Sequence, residues 1–119
     1  MLLPDNQTGL QFLYVDDWHT VRAEPGALII NIGDIVQVWS NDRYQAPLHR
    51  VLANASQPRI STPYFLNPSY NYDYAPLAAT LHGDEPKYNS INWGYFRSQR
   101  SQGDYADHGE EIQIANFSR

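Results

Sequence analysis

The sequence predicts an all-β sandwich with one helix packed outside it. Several short apolar runs are separated by turn signals, and Trp93, Phe96, Arg97 and Arg100 share one helical face near the end. Length sets the scale: 119 residues suffice for one modest domain, and 42% hydrophobic residues, including 9 Tyr, 4 Phe and 3 Trp, can build a core.

The elements follow in order. Leu10-Gln11-Phe12-Leu13-Tyr14-Val15 reads as a strand, Asp16-Asp17 as a turn, and Trp18 to Arg22 as a second short strand. Glu24-Pro25-Gly26 is a turn signal. Ala27 to Ile32 is apolar on both parities, as a strand covered on both faces would be. Ile35 and Trp39 lie four apart behind Asp34, which favours a short helix capped by Asp34, although its β-branched content leaves a strand open. Ala46 to Ala53 and Arg59 to Leu66 are further strand candidates, joined by a polar turn from Asn54 to Pro58. Asn67 to Pro86, rich in Tyr, Pro, Asn and Asp, reads as an ordered extended arm. Asn89 or Ser90 precedes the helix, Gly103 follows it, and Glu110 to Phe117 alternates as a short closing strand. Only Met1 to Gly9 precede the first strand, and no earlier segment is expected to pair with the long apolar one. Open sheet edges and an uncovered apolar face are therefore expected, and with them self-association or cover by further chain.

Composition excludes several functions. The net charge of -5 argues against nucleic acid or an anionic membrane as partner. Zero cysteines exclude disulfides, a thiol nucleophile and Cys-type metal sites. No apolar run reaches membrane-span length and no basic-then-apolar leader is visible, so a cytoplasmic protein is expected.

The informative stretch runs from Pro25 to Pro68. His49 lies mid-strand, and Arg59-Ile60-Ser61 follows ten residues later. Residues two apart on a strand point the same way, so Arg59 and Ser61 offer a guanidinium and a hydroxyl to one side, a pair suited to a carboxylate. If the strands are neighbours, His49 faces the same cavity, where a neutral imidazole can serve a metal. The residues alone leave a second reading open: a satisfied core histidine, and an Arg59 paired with Asp42 or Asp34.

The ordered set Pro25-Gly26-Ala27, Asn31-Ile32-Gly33-Asp34, Trp39-Ser40-Asn41-Asp42-Arg43-Tyr44, Leu48-His49-Arg50-Val51, Arg59-Ile60-Ser61 and Phe65-Leu66-Asn67-Pro68 resembles the C-terminal part of the isopenicillin N synthase-like Fe(II)/2-oxoglutarate-dependent oxygenases. The tail from Gly103 to Ile114 resembles the carboxyl end of microbial members. The resemblance implies a double-stranded β-helix (jelly-roll) fragment, mostly β with a C-terminal helix. It spans 1–119 as the C-terminal part of the domain, with a core over 9–68 and an arm and helix over 69–119. It implies Fe(II) as metal and 2-oxoglutarate as cosubstrate, decarboxylated to succinate as a small organic substrate is oxidised. His49 matches the distal histidine of the two-His, one-carboxylate iron triad, and Arg59 and Ser61 match the anchor for the distal carboxylate of 2-oxoglutarate.

One part of the family pattern is missing. Its H-x-D or H-x-E motif belongs on an earlier strand, but His19, followed by Thr20-Val21, is the one histidine between Met1 and Leu48. Leu2-Leu3-Pro4-Asp5 resembles the segment just after that motif, so an N-terminal half is expected to be missing. Catalysis by this chain alone is predicted to be absent, because iron affinity comes from several preplaced ligands. His82-Gly83-Asp84 and His108-Gly109-Glu110 spell the motif but lie after His49, where the family places no ligands. Tyr64, Tyr70, Tyr72 and Tyr74 read as arm packing with substrate contact as the alternative; Arg97 and Arg100 read as a solvated face or as partners of Glu110 and Glu111. A different class remains open: a non-catalytic β-sandwich module that binds a small dicarboxylate or a protein partner, or a strand-complementing subunit.

Overall fold

The computed structural model describes residues 1–5, 7–53, 57–105 and 112–119. The chain divides into two compact units, one of residues 1–32 and 46–66, the other of residues 33–45 and 67–119.

Among its described residues the first unit is all strand and loop. β1 (Leu2–Pro4) pairs antiparallel with β5 (Ser61–Pro63), while β2 (Leu10–Tyr14) is the centre of a sheet ordered β3-β2-β4, with β3 (Asp17–Thr20) and β4 (His49–Val51) on its flanks. β1 corrects an expectation, since residues before Leu10 do pair: Leu3 lies opposite Thr62, and Leu2 exchanges main-chain bonds of 2.8 and 2.9 Å with Ile29. Three residues are too few to show a period, which is why β1 was invisible in the pattern. Ala27 to Ile32 shrinks to that single bridge at Ile29, because a strand extends only as far as a neighbour offers a ladder. The same shortening limits Ala46–Ala53 to His49–Val51 and Arg59–Leu66 to Ser61–Pro63, so Arg59 lies just before its strand. The first hairpin turns at Val15 and Asp16, with φ of 46° and 67°, rather than at Asp16-Asp17.

The second unit holds the core. α1 (Asp34–Trp39) forms as predicted, but Gly33 is its N-cap and Asp34 its first helical residue. The expected arm contains β6 (Asp73–Tyr74), which pairs with β7 (Ile91–Asn92), and the short α2 (Ala78–Leu81). α3 (Trp93–Tyr105) starts directly after β7, without the Asn89 or Ser90 cap, and continues through Gly103. Ile35, Val38, Tyr88, Ile91, Trp93, Phe96 and Ile114 are buried together. The expected closing strand is a 3-10 turn over Ile114–Phe117, held by reciprocal bonds between Gln113 and Asn116; Glu110 and Glu111 lie outside the described residues. Among the described residues Arg100 donates to the Ile112 carbonyl (3.2 Å) and Gln113 Oε1 (2.7 Å).

A polar network fixes one end of this core. Asn41 is buried in a left-handed conformation; its amide donates to the Glu85 carbonyl, and its Oδ1 accepts the Lys87 N–H at 2.8 Å. Tyr88 donates a short bond to Asp42, and Gln37 Nε2 donates to both, at 2.9 and 3.0 Å. Burial and the Asp42 carboxylate push the Tyr88 hydroxyl up to about 12. Burial alone would raise the Asp42 carboxyl, but donors from Tyr88, Gln37 and Lys87 and the Lys87 charge hold it below the carboxylate range. Among the described residues, no helix is long and apolar enough to cross a membrane.

Candidate functional site

The sheet β3-β2-β4 has two chemically different faces. Phe12 lies opposite His19 on one side and His49 on the other, so the three side chains project from one face. Phe12 and His19 stack with ring centroids 5.4 Å apart. The reverse face carries a polar clip: Arg50 Nε donates to Gln11 Oε1 at 2.9 Å, and its guanidinium lies 3.8 Å over the Trp18 ring. Gln11 in turn donates to Thr20 Oγ1 at 3.1 Å. Holding Arg50 on that face puts its neighbour His49 on the Phe12 face. The His49 ring is exposed, with Nδ1 3.1 Å from the Pro47 carbonyl. A proton on Nδ1 donates there and leaves the Nε2 lone pair available to a proton or a metal.

Arg59 and Ser61 come together as their spacing predicts: Nη1 donates to Ser61 Oγ at 3.4 Å. The Arg59 Nε is buried without a hydrogen-bond partner, and no ion pair of Arg59 occurs among the described residues. Asp42, offered by the sequence as one partner for Arg59, is taken by Lys87 at 3.3 Å. A guanidinium with a buried, unspent N–H beside a hydroxyl is chemically prepared for a carboxylate.

Two further residues frame the pair. Gly9 backs the arginine, where a Cβ would lie 3.4 Å from Arg59 Cδ and 3.2 Å from the Leu52 carbonyl. The Asp5 carboxylate accepts N–H bonds from Ile60 (2.5 Å) and Gln7 (2.9 Å). Those bonds, the Ile60 one first, with the Arg59 charge adding, hold the Asp5 carboxyl below its ordinary 3.8. Neither residue has a role that the sequence pattern announces. For Asp5 the available signal was a carboxylate directly after a short apolar run ending in Pro4.

His49 and Arg59 belong to the same unit, with β4 and β5 in its two different sheets. Among the described residues no three His, Asp or Glu side chains gather to hold a metal ion. His82 is an exposed, left-handed residue closing α2, and Asp84 pairs with Arg43 at 4.0 Å; His108 lies outside the described residues. The donor set therefore fits a dicarboxylate's distal end and does not by itself fit an iron ion, for which one imidazole is too little.

Comparison with known proteins gives this geometry a context. The profile of the 2OG-Fe(II) oxygenase superfamily matches residues 1–68. Gibberellin 2-beta-dioxygenase 5 of Oryza sativa subsp. japonica is 39% identical over 113 residues, covering 95% of this chain and 33% of that protein. The 1-aminocyclopropane-1-carboxylate oxidase homolog 7 of Arabidopsis thaliana is 45% identical over 89 residues, covering 72% of this chain and 26% of its own length. The crystal structure of JOX2 in complex with 2OG, Fe and JA superposes with a TM-score of 0.80 at 32% identity, over 97% of this chain and 33% of that one. The chain thus spans about a third of the length of the first relatives it matches. Its strands belong to the jelly-roll fold of these neighbours, and the family uses Fe(II) and 2-oxoglutarate. On more than half of its residues, and in the same fold, this chain belongs to the 2OG-Fe(II) oxygenase superfamily.

Proposed function

We propose that the chain is the cosubstrate-anchoring part of an Fe(II)- and 2-oxoglutarate-dependent oxygenase acting on a small organic substrate, with residues 1–119 as one C-terminal portion of its domain. Arg59 and Ser61 take the distal carboxylate of 2-oxoglutarate, and His49 offers Nε2 as one iron ligand. The observation that carries this reading is the buried Arg59 Nε with no partner, next to Ser61. Arg59 supplies a charge-assisted fork and Ser61 a single donor that fixes the carboxylate's rotation. The Pro47 carbonyl holds the His49 ring by its other nitrogen, which sets the tautomer. When bound with its full ligand set, the metal supplies oxygen activation; the further ligands come from outside the described residues. The apolar side chains exposed in the first unit support cover by that further polypeptide or by a second copy of the chain, and light-scattering mass measurement of a strictly monomeric protein would count against both.

Calorimetry with 2-oxoglutarate, with and without Fe(II), tests the anchor. Wild type binds the dicarboxylate without metal, and Arg59→Ala binds at least about tenfold more weakly. Equal affinity in the two proteins would sink the assignment. The chain alone produces no Fe(II)-dependent succinate; production abolished by His49→Ala would contradict the single-ligand reading.

A further inference from the structure

The ladder between β1 and β5 changes character where it reaches the anchor. Leu3 lies opposite Thr62 and Pro4 opposite Ser61, so the next pair in register is Asp5 with Ile60. A regular antiparallel pair at that position exchanges two main-chain bonds. One of them is made, from the Asp5 N–H to the Ile60 carbonyl at 3.2 Å. The other is made by the side chain: Asp5 Oδ2, not the Asp5 carbonyl, accepts the Ile60 N–H at 2.5 Å. Oδ1 accepts the Gln7 N–H at 2.9 Å. Ile60 separates Arg59 from Ser61, and its own side chain is 74% exposed, so burial of that side chain does not hold Ile60 in place.

We propose that Asp5 is a positioning residue for the anion-binding pair, its carboxylate standing in for a main-chain carbonyl to fix Ile60 and so aim Arg59 and Ser61. The role of that pair rests on the function proposed above; the clamp itself rests on the Asp5–Ile60 and Asp5–Gln7 bonds. Both Asp5 oxygens are occupied by main-chain N–H groups, and no Asp5–Arg59 ion pair forms among the described residues. The guanidinium therefore keeps its charge for an incoming anion while a carboxylate stands close by. Arg59 is the charged group whose field reaches Asp5, and it favours the ionised clamp.

Amide resonances of the whole 119-residue chain test the clamp without a variant. On acidification, the Ile60 and Gln7 amides shift together in one transition with its midpoint below 3.8, as the shared carboxylate protonates. Transitions at or above 3.8, or an Ile60 amide that does not respond, overturn the proposal. In Asp5→Ala, Ile60 amide exchange rises about tenfold or more, with the amides of Ile91 and Phe96 unchanged. Asp5→Asn keeps one acceptor, restores part of the protection and abolishes the acid transition. Calorimetry then shows 2-oxoglutarate binding weakened about three- to tenfold in Asp5→Ala, with partial recovery in Asp5→Asn; undiminished affinity in Asp5→Ala also overturns the positioning role. If wild type binds no 2-oxoglutarate while the two amides titrate together, the cosubstrate reading falls and the clamp stands.

Discussion

The second unit contains every buried side chain among the described residues, whereas the first unit contains none. In the second, Val38, Ile91 and Phe96 are fully enclosed. In the first, Leu28, Ile30, Leu48, Ile60, Tyr64 and Phe65 are more than half exposed. The contrast separates two ways of making a fold specific. The second unit specifies itself by burial, worth roughly 25 cal/mol for each Å² of apolar surface removed from water. The first is specified by main-chain ladders and polar clips, which fix direction well but add little net free energy. The candidate site lies wholly in the weaker unit, where its geometry depends on hydrogen-bond partners more than on packing.

Paired truncations of one residue type put that contrast under the heaviest load. Phe96→Ala destabilises the chain by about 3–5 kcal/mol in urea unfolding, while Phe65→Ala changes it by less than about 0.5 kcal/mol. Comparable losses would mean that the first unit has a hidden apolar cover in solution. A smaller effect sharpens the account of the second unit. Tyr88→Phe costs about 1–2 kcal/mol, because it removes a donor from Asp42 and a partner from Gln37. The hydroxyl's raised pKa gives the sign: its stabilisation is complete below pH 10 and is lost as pH climbs to about 12, so Tyr88→Phe should flatten the alkaline limb of the melting curve. The smallest effect is a gain in the first unit. Val15→Asn raises stability by about 0.5–1 kcal/mol, since a β-branched residue is forced to a φ of 46° where asparagine is at ease; an unchanged melting temperature would show that the hairpin frays without cost.

Much of this was legible in the residues. The run Leu10 to Val15 reads as a strand from its apolar and aromatic content and the Trp93–Phe96–Arg100 helix from its period, while the Ile35–Trp39 spacing favours the helix behind Asp34 and leaves a strand open. Arg59 and Ser61 were legible from their spacing of two, and His49 from the family resemblance rather than from any pattern of its own. What escaped has a common cause. β1 is too short for a period, the Ile29 bridge depends on a distant partner, and Ile114–Phe117 coils because Gln113 and Asn116 satisfy each other locally, which alternation cannot reveal. Asp5 escaped because its value lies in one main-chain N–H far along the sequence.

The two-faced sheet around β2 carries a consequence for how such a chain tolerates length changes. Imidazole and guanidinium are adjacent in sequence, and only odd-even parity decides which of them meets Phe12. A single residue inserted into or deleted from β4 would exchange them, setting a guanidinium where the imidazole stands while barely altering charge or strand content. Tolerated insertions should therefore fall in the connecting loops, or come in twos.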